Sequence, residues 1–168
     1  MAYPPFLQPV RIVRLSRSRA PTIAKAHHLF DGPLDLRATR RYLADPRNLF
    51  LMAWDGRIAV GFLRGTFLLQ TRTSMPQFFL YEIGVANGAR RRGVGTALVS
   101  TMLEYARAAG CEEAFVLTSP RNRAAVALYR STGGRAETPG DRMYVYRLAR
   151  RRRSPRGSIR NARGSRVV

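Results

Sequence analysis

Apolar positions along the chain follow two rhythms. Short runs rich in β-branched and aromatic side chains occupy residues 10–15, 49–54, 58–69, 77–85, 114–117 and 143–148, and their lengths and flanking turn residues predict strands. Between them, residues 22–30, 36–44, 94–109 and 123–131 place apolar side chains at intervals of three and four, the spacing of one helix face. Asp35 stands where an N-cap is wanted before the second helix, and Asp45-Pro46 ends it. Asp55-Gly56 joins two strand-like runs as a hairpin turn. Gly110 and Gly133-Gly134 follow the last two helices as C-terminal stops. Strands alternating with helices predict a layered α/β (α+β) domain over residues 1–149.

Composition narrows the reading. The 168 residues suit one domain, and 45% hydrophobic content is enough for a single core. No apolar stretch reaches 18 residues and the start of the chain lacks a basic, then apolar, leader, so a cytoplasmic location and no membrane partner are expected. One cysteine and two histidines argue against a disulfide framework and a metal site. Thirty basic residues against ten acids give +20. Eight arginines lie in residues 150–168, which hold no acid and few apolar side chains; that segment is expected to be a disordered tail capable of nonspecific nucleic-acid contact. Removing those eight leaves +12 for residues 1–149. An anionic partner or a GC-rich genome accounts for this excess.

The most informative stretch joins the strand at 77–85 to the helix at 94–109. Gly93 and Gly95 allow close backbone approach, and the first helical N–H groups, around Val94, Gly95 and Thr96, point out at the positive end of a helix dipole. Arg90, Arg91 and Arg92 add charge, so a pyrophosphate suits the turn. A P-loop is excluded because Thr96 follows Gly95 with no lysine between them. A dinucleotide fingerprint is excluded because Leu98 stands where its third glycine belongs.

The remaining pattern, Arg90-x-x-Gly93-x-Gly95 between a strand and a helix, resembles the first signature of the GNAT family of N-acetyltransferases. Asn122-Arg123-Ala124-Ala125-Val126-Ala127-Leu128-Tyr129 resembles the second. The resemblance runs from about Val10 to Leu148 and implies a GNAT fold, a mixed and mostly antiparallel sheet of six to seven strands flanked by about four helices. It also implies acetyl-CoA as donor, held by Arg90 to Thr96, by Asn122, and by main-chain groups of Ile83, Gly84 and Val85 beside the pantetheine arm. Gly84 is expected to leave room for that arm.

Acetyl transfer to an amine needs a proton acceptor for the amine and a proton donor for the leaving thiol. Glu82 interrupts an otherwise apolar strand, and its reading is either a catalytic base or a salt bridge to one of many arginines. Strict alternation would put Phe79, Tyr81, Ile83 and Val85 on one face and Leu80, Glu82 and Gly84 on the other. Tyr129, near the cofactor sulfur in the family, is the expected acid. Leu43-Ala44-Asp45-Pro46, the segment from Phe50 to Gly56, and Leu80-Tyr81-Glu82-Ile83-Gly84-Val85 are similar to the small aminoglycoside 3-N-acetyltransferases. That likeness implies a polycationic amine acceptor held by Asp31, Asp35 and Glu82. Those enzymes usually carry aspartate where Glu82 stands and acids where Ser119-Pro120-Arg121 stands. Family members commonly dimerise, so the resemblance implies a homodimer as one assembly. A protein or peptide α-amine, or a metabolite amine, is the rival acceptor.

Overall fold

The computed structural model describes residues 10–30 and 32–136. Strands β1 (Arg11–Arg14), β2 (Asn48–Asp55), β3 (Ile58–Leu68), β4 (Gln77–Val85) and β5 (Glu113–Val116) lie side by side in chain order. The first three pairings are antiparallel and β4–β5 is parallel, so the sheet is mixed and mostly antiparallel, as expected. Helix α2 (Val94–Ala108) makes the crossover that parallel neighbours require. Helices α1 (Leu36–Ala44) and α3 (Arg123–Ser131) complete the set. The strand expected at 143–148, the tail at 150–168 and Asp31 lie outside the described residues. Among the described residues no helix is long and apolar enough to cross a membrane.

β2 is buried along almost its whole length because both faces of the sheet are covered. Leu49, Leu51 and Ala53 join Leu63, Phe78 and Leu80 beneath Val94, Leu98, Val99 and Met102 of α2. Phe50, Met52 and Trp54 point the other way, into a cluster with Phe62, Ile23 and Ala26 that Phe30 and Tyr42 close. Period-two alternation thus feeds two cores from one strand. Asp35 caps α1 as expected, its Oδ1 accepting from the N–H groups of Arg37 at 2.8 Å and Ala38 at 3.0 Å. From the same helix the Tyr42 hydroxyl donates to the Gly65 carbonyl at 2.7 Å, tying α1 to β3, and burial pushes its pKa up to about 12.

Two expectations fail, each for a local reason. Residues 22–30 are not an α-helix: Arg17–Leu29 is a 3-10 segment with Pro21 inside it and a non-helical Ala26. Its buried residues, Ala20, Ile23 and Ala26, recur every third position, the repeat of a 3-10 helix. Strict alternation along β4 fails as well. Arg64 pairs with Glu82 but Gly65 pairs with Leu80, so Tyr81 is an extra, bulged residue. The skip changes phase. Phe78 and Leu80 before it, and Ile83 and Val85 after it, all pack towards α2.

Candidate active site

β4 is nine residues long, but β5 pairs only with its first half, from Gln77 opposite Glu113 to Leu80 opposite Val116. Facing side chains reinforce that half: Gln77 Nε2 donates to Glu113 Oε1, and the rings of Phe79 and Phe115 stack at 5.1 Å. From Tyr81 to the end of β4 no described strand lies along that edge. An extended ligand has room to pair there with the main chain of Ile83, Gly84 and Val85. One of those groups is already engaged, since Arg90 Nε donates to the Val85 carbonyl at 3.3 Å.

Beyond β4 the chain is pinned by the Ala86 N–H on Val60 O at 3.0 Å and by buried Ala89 in the 3-10 turn Asn87–Ala89. Two left-handed residues follow, Arg91 at φ 57° and Gly93 at φ 81°, and Arg91 is the one described non-glycine with positive φ. Such a turn gathers main-chain N–H groups into an anion-binding concavity. α1 and α3 are capped by the side chains of Asp35 and Asn122, whereas Gly93 supplies no side chain to the first turn of α2. The donors of Val94, Gly95 and Thr96 precede the first helical bond, from Ala97 N–H to Gly93 O at 2.9 Å. The three arginines do different things. Arg90 and Arg92 brace the turn on the carbonyls of Val85 and Gly88, and Arg91 is exposed.

The glycines need correction. Gly93 is required by its positive φ, with open space where a side chain would be. A methyl at Gly95 would lie 3.1 Å from Leu128, so that glycine serves the contact between α2 and α3. A methyl at Gly84 would lie 2.5 Å from Phe62 Cε1, so Gly84 makes room for the core on the far face rather than for a ligand arm.

Glu82 forms the salt bridge that was its alternative reading: Arg64 Nε donates to its Oε2 at 2.6 Å, both side chains being about one-third exposed. Among the described residues that bond falls on Oε2 alone, and Oε1 remains an acceptor. The Arg64 guanidinium also lies 4.7 Å above the Tyr81 ring. Arg64 and Tyr81 were missed as site residues. A lone charge between Leu63 and Gly65 in an apolar strand was the available signal for the first. Tyr129 packs into the cluster on the α2 face, and burial pushes its phenol pKa up, which keeps it protonated. Glu82 and Tyr129 thus belong to opposite faces of the sheet. Asn122 Oδ1 accepts from Ala125 N–H at 3.2 Å as the cap of α3. Asp35 is likewise engaged as a cap. Burial raises the Cys111 thiol pKa, so no poised thiolate stands nearby.

Residues 17–133 match the acetyltransferase (GNAT) family. The chain is 32% identical over 145 residues to the N-alpha-acetyltransferase RimI of Mycobacterium tuberculosis, covering 84% of this chain and 87% of that protein. It is also 32% identical over 117 residues to N-acetyltransferase family 8 member 3 of Mus musculus, of which it spans about half the length (50%). In fold it is similar to an aminoglycoside acetyltransferase from an uncultured soil metagenomic sample, solved with trehalose. That match has a TM-score of 0.75 at 24% identity and covers 83% of this chain and 97% of that one. With a strand, turn and helix in the expected order and no described strand beside the second half of β4, the chain belongs to the acetyltransferase (GNAT) family.

Proposed function

We propose that this protein transfers the acetyl group of acetyl-CoA to the α-amine of a peptide or protein. The observation that carries the acceptor is the state of the carboxylates. A polycationic aminoglycoside needs carboxylates free to receive its ammonium groups. The charge of Glu82 is compensated by Arg64, and Asp35 has one oxygen occupied by two N–H groups as the cap of α1. An α-amine makes a smaller demand, because its ordinary pKa of about 7.7–8.0 leaves a sizeable neutral fraction near pH 7. The likeness to RimI over most of both chains supports the same reading.

The site fits the donor. The start of α2, which no described side chain caps, and the left-handed turn at Arg91 and Gly93 suit its pyrophosphate, and the half of β4 with no described neighbour suits its extended arm. When bound, acetyl-CoA supplies an activated acetyl thioester. Glu82 Oε1 takes the proton that the amine gives up as the N–C bond forms, while Arg64 fixes the carboxylate through Oε2. The Tyr129 hydroxyl gives a proton to the sulfur as the C–S bond breaks. Each residue moves one proton, and the atoms balance.

Initial rates of thiol release from acetyl-CoA separate the acceptors. Peptides with a free α-amine are expected to be acetylated faster than gentamicin-like aminoglycosides or polyamines, and peptides blocked at that amine not at all. Faster turnover of the aminoglycosides would restore the polycation reading and contradict this one.

A further inference from the structure

We propose that Tyr81 is a specificity-determining residue whose ring takes the first side chain of the acceptor and favours large apolar ones. This rests on the α-amine reading above. Tyr81 is 64% exposed although it lies within a strand. It is the bulged residue of β4, and it shares a face with its neighbour Glu82 because Arg64 touches both, the carboxylate at 2.6 Å and the ring at 4.7 Å. Phe79 meets the Tyr81 ring edge-on at 6.0 Å, and Phe115 stacks on Phe79. The result is an aromatic row across β4 and β5 on the face opposite α2. On that face the 3-10 segment packs against β3 and α1 against β2.

Reach selects the occupant. Consecutive Cα atoms are about 3.8 Å apart, so a group one carbon from an amine at Glu82 falls within reach of the adjacent ring. In a peptide acceptor that group is the first side chain. The ring is held before anything binds, with Phe79 at its edge and Arg64 over one face, so little freedom remains to be lost on contact. An apolar first side chain gains the area of the ring. A small one gains nothing there, and a basic one meets the charge of Arg64.

The test is a ratio within one enzyme. Peptides identical except for Met, Leu or Phe against Gly, Ala or Ser at the first position are assayed with wild type, Tyr81→Ala and Tyr81→Phe, with melting temperature confirming the fold. Tyr81→Ala is expected to lower the preference in kcat/KM for large first residues by about tenfold, the scale of one aromatic contact, and Tyr81→Phe to keep it. A general structural defect would lower both classes together and leave the ratio unchanged, which overturns the proposal while the α-amine reading stands. If Tyr81→Ala instead splits a dimer in sedimentation with the ratio unchanged, the row is an interface between copies and the proposal fails. Turnover of no peptide by wild type defeats both readings.

Discussion

Glu82 keeps one carboxylate oxygen on Arg64 and leaves the other without a hydrogen bond among the described residues, an arrangement a glutamine can copy in shape but not in charge. Glu82→Gln should therefore fold normally, since its amide oxygen still accepts from Arg64. Its kcat/KM at neutral pH should fall by about 10²–10⁴. The loss should shrink as pH rises past the ordinary α-amine pKa, where the acceptor is already neutral. Tyr129 behaves oppositely. Its raised pKa keeps the phenol a proton donor across neutral pH, and activity depending on that proton is lost only as pH rises through the raised value. Tyr129→Phe should be slow at every pH and show no such alkaline limb. Full pH profiles of kcat/KM for the three enzymes check both. Near wild-type rates for Glu82→Gln at neutral pH would make the carboxylate purely a partner for Arg64.

At the scale of elements, α1 is held to the sheet through Tyr42, whose hydroxyl bonds Gly65 O beside the bulge that sets the Arg64–Glu82 register. Its pKa is raised from 10.0 to about 12. The stability it contributes is therefore complete below about pH 10 and lost as pH rises through about 12. Tyr42→Phe should cost about 1 kcal/mol at neutral pH for the lost hydrogen bond and flatten the alkaline decline, read from urea midpoints across that range. Much at this scale was legible in the sequence. α1 with its Asp35 cap, the hairpin at Asp55-Gly56 and the glycines after α2 and α3 each rest on local chemistry within a few residues. What escaped depends on partners far along the chain. A skip at Tyr81 leaves no local mark, and it decides that Arg64 faces Glu82. The room that Gly84 and Gly95 leave is taken up against Phe62 and Leu128, which their neighbours in sequence do not reveal. The 3-10 segment was missed because over a single turn the periods of 3.0 and 3.6 diverge by only about 60°, so the short-range spacing of apolar residues fits either.

For the molecule as a whole, charge is the confounding term. A chain of net +20 attracts any polyanion, and eight of its arginines belong to residues 150–168, outside the described structure. The family assignment and the open edge of β4 call for something narrower: one donor molecule per chain, held by a turn and a strand together. Calorimetric titration of the full chain with CoA and with inorganic pyrophosphate distinguishes the two at about 1 M salt, where the Debye length is about 3 Å. The account predicts that CoA still binds saturably with one equivalent per chain while pyrophosphate binding is lost, and that Gly93→Ala, which strains the turn at φ 81°, weakens CoA binding at least tenfold. Several weak equivalents of CoA, abolished by salt together with pyrophosphate and indifferent to Gly93→Ala, would contradict it.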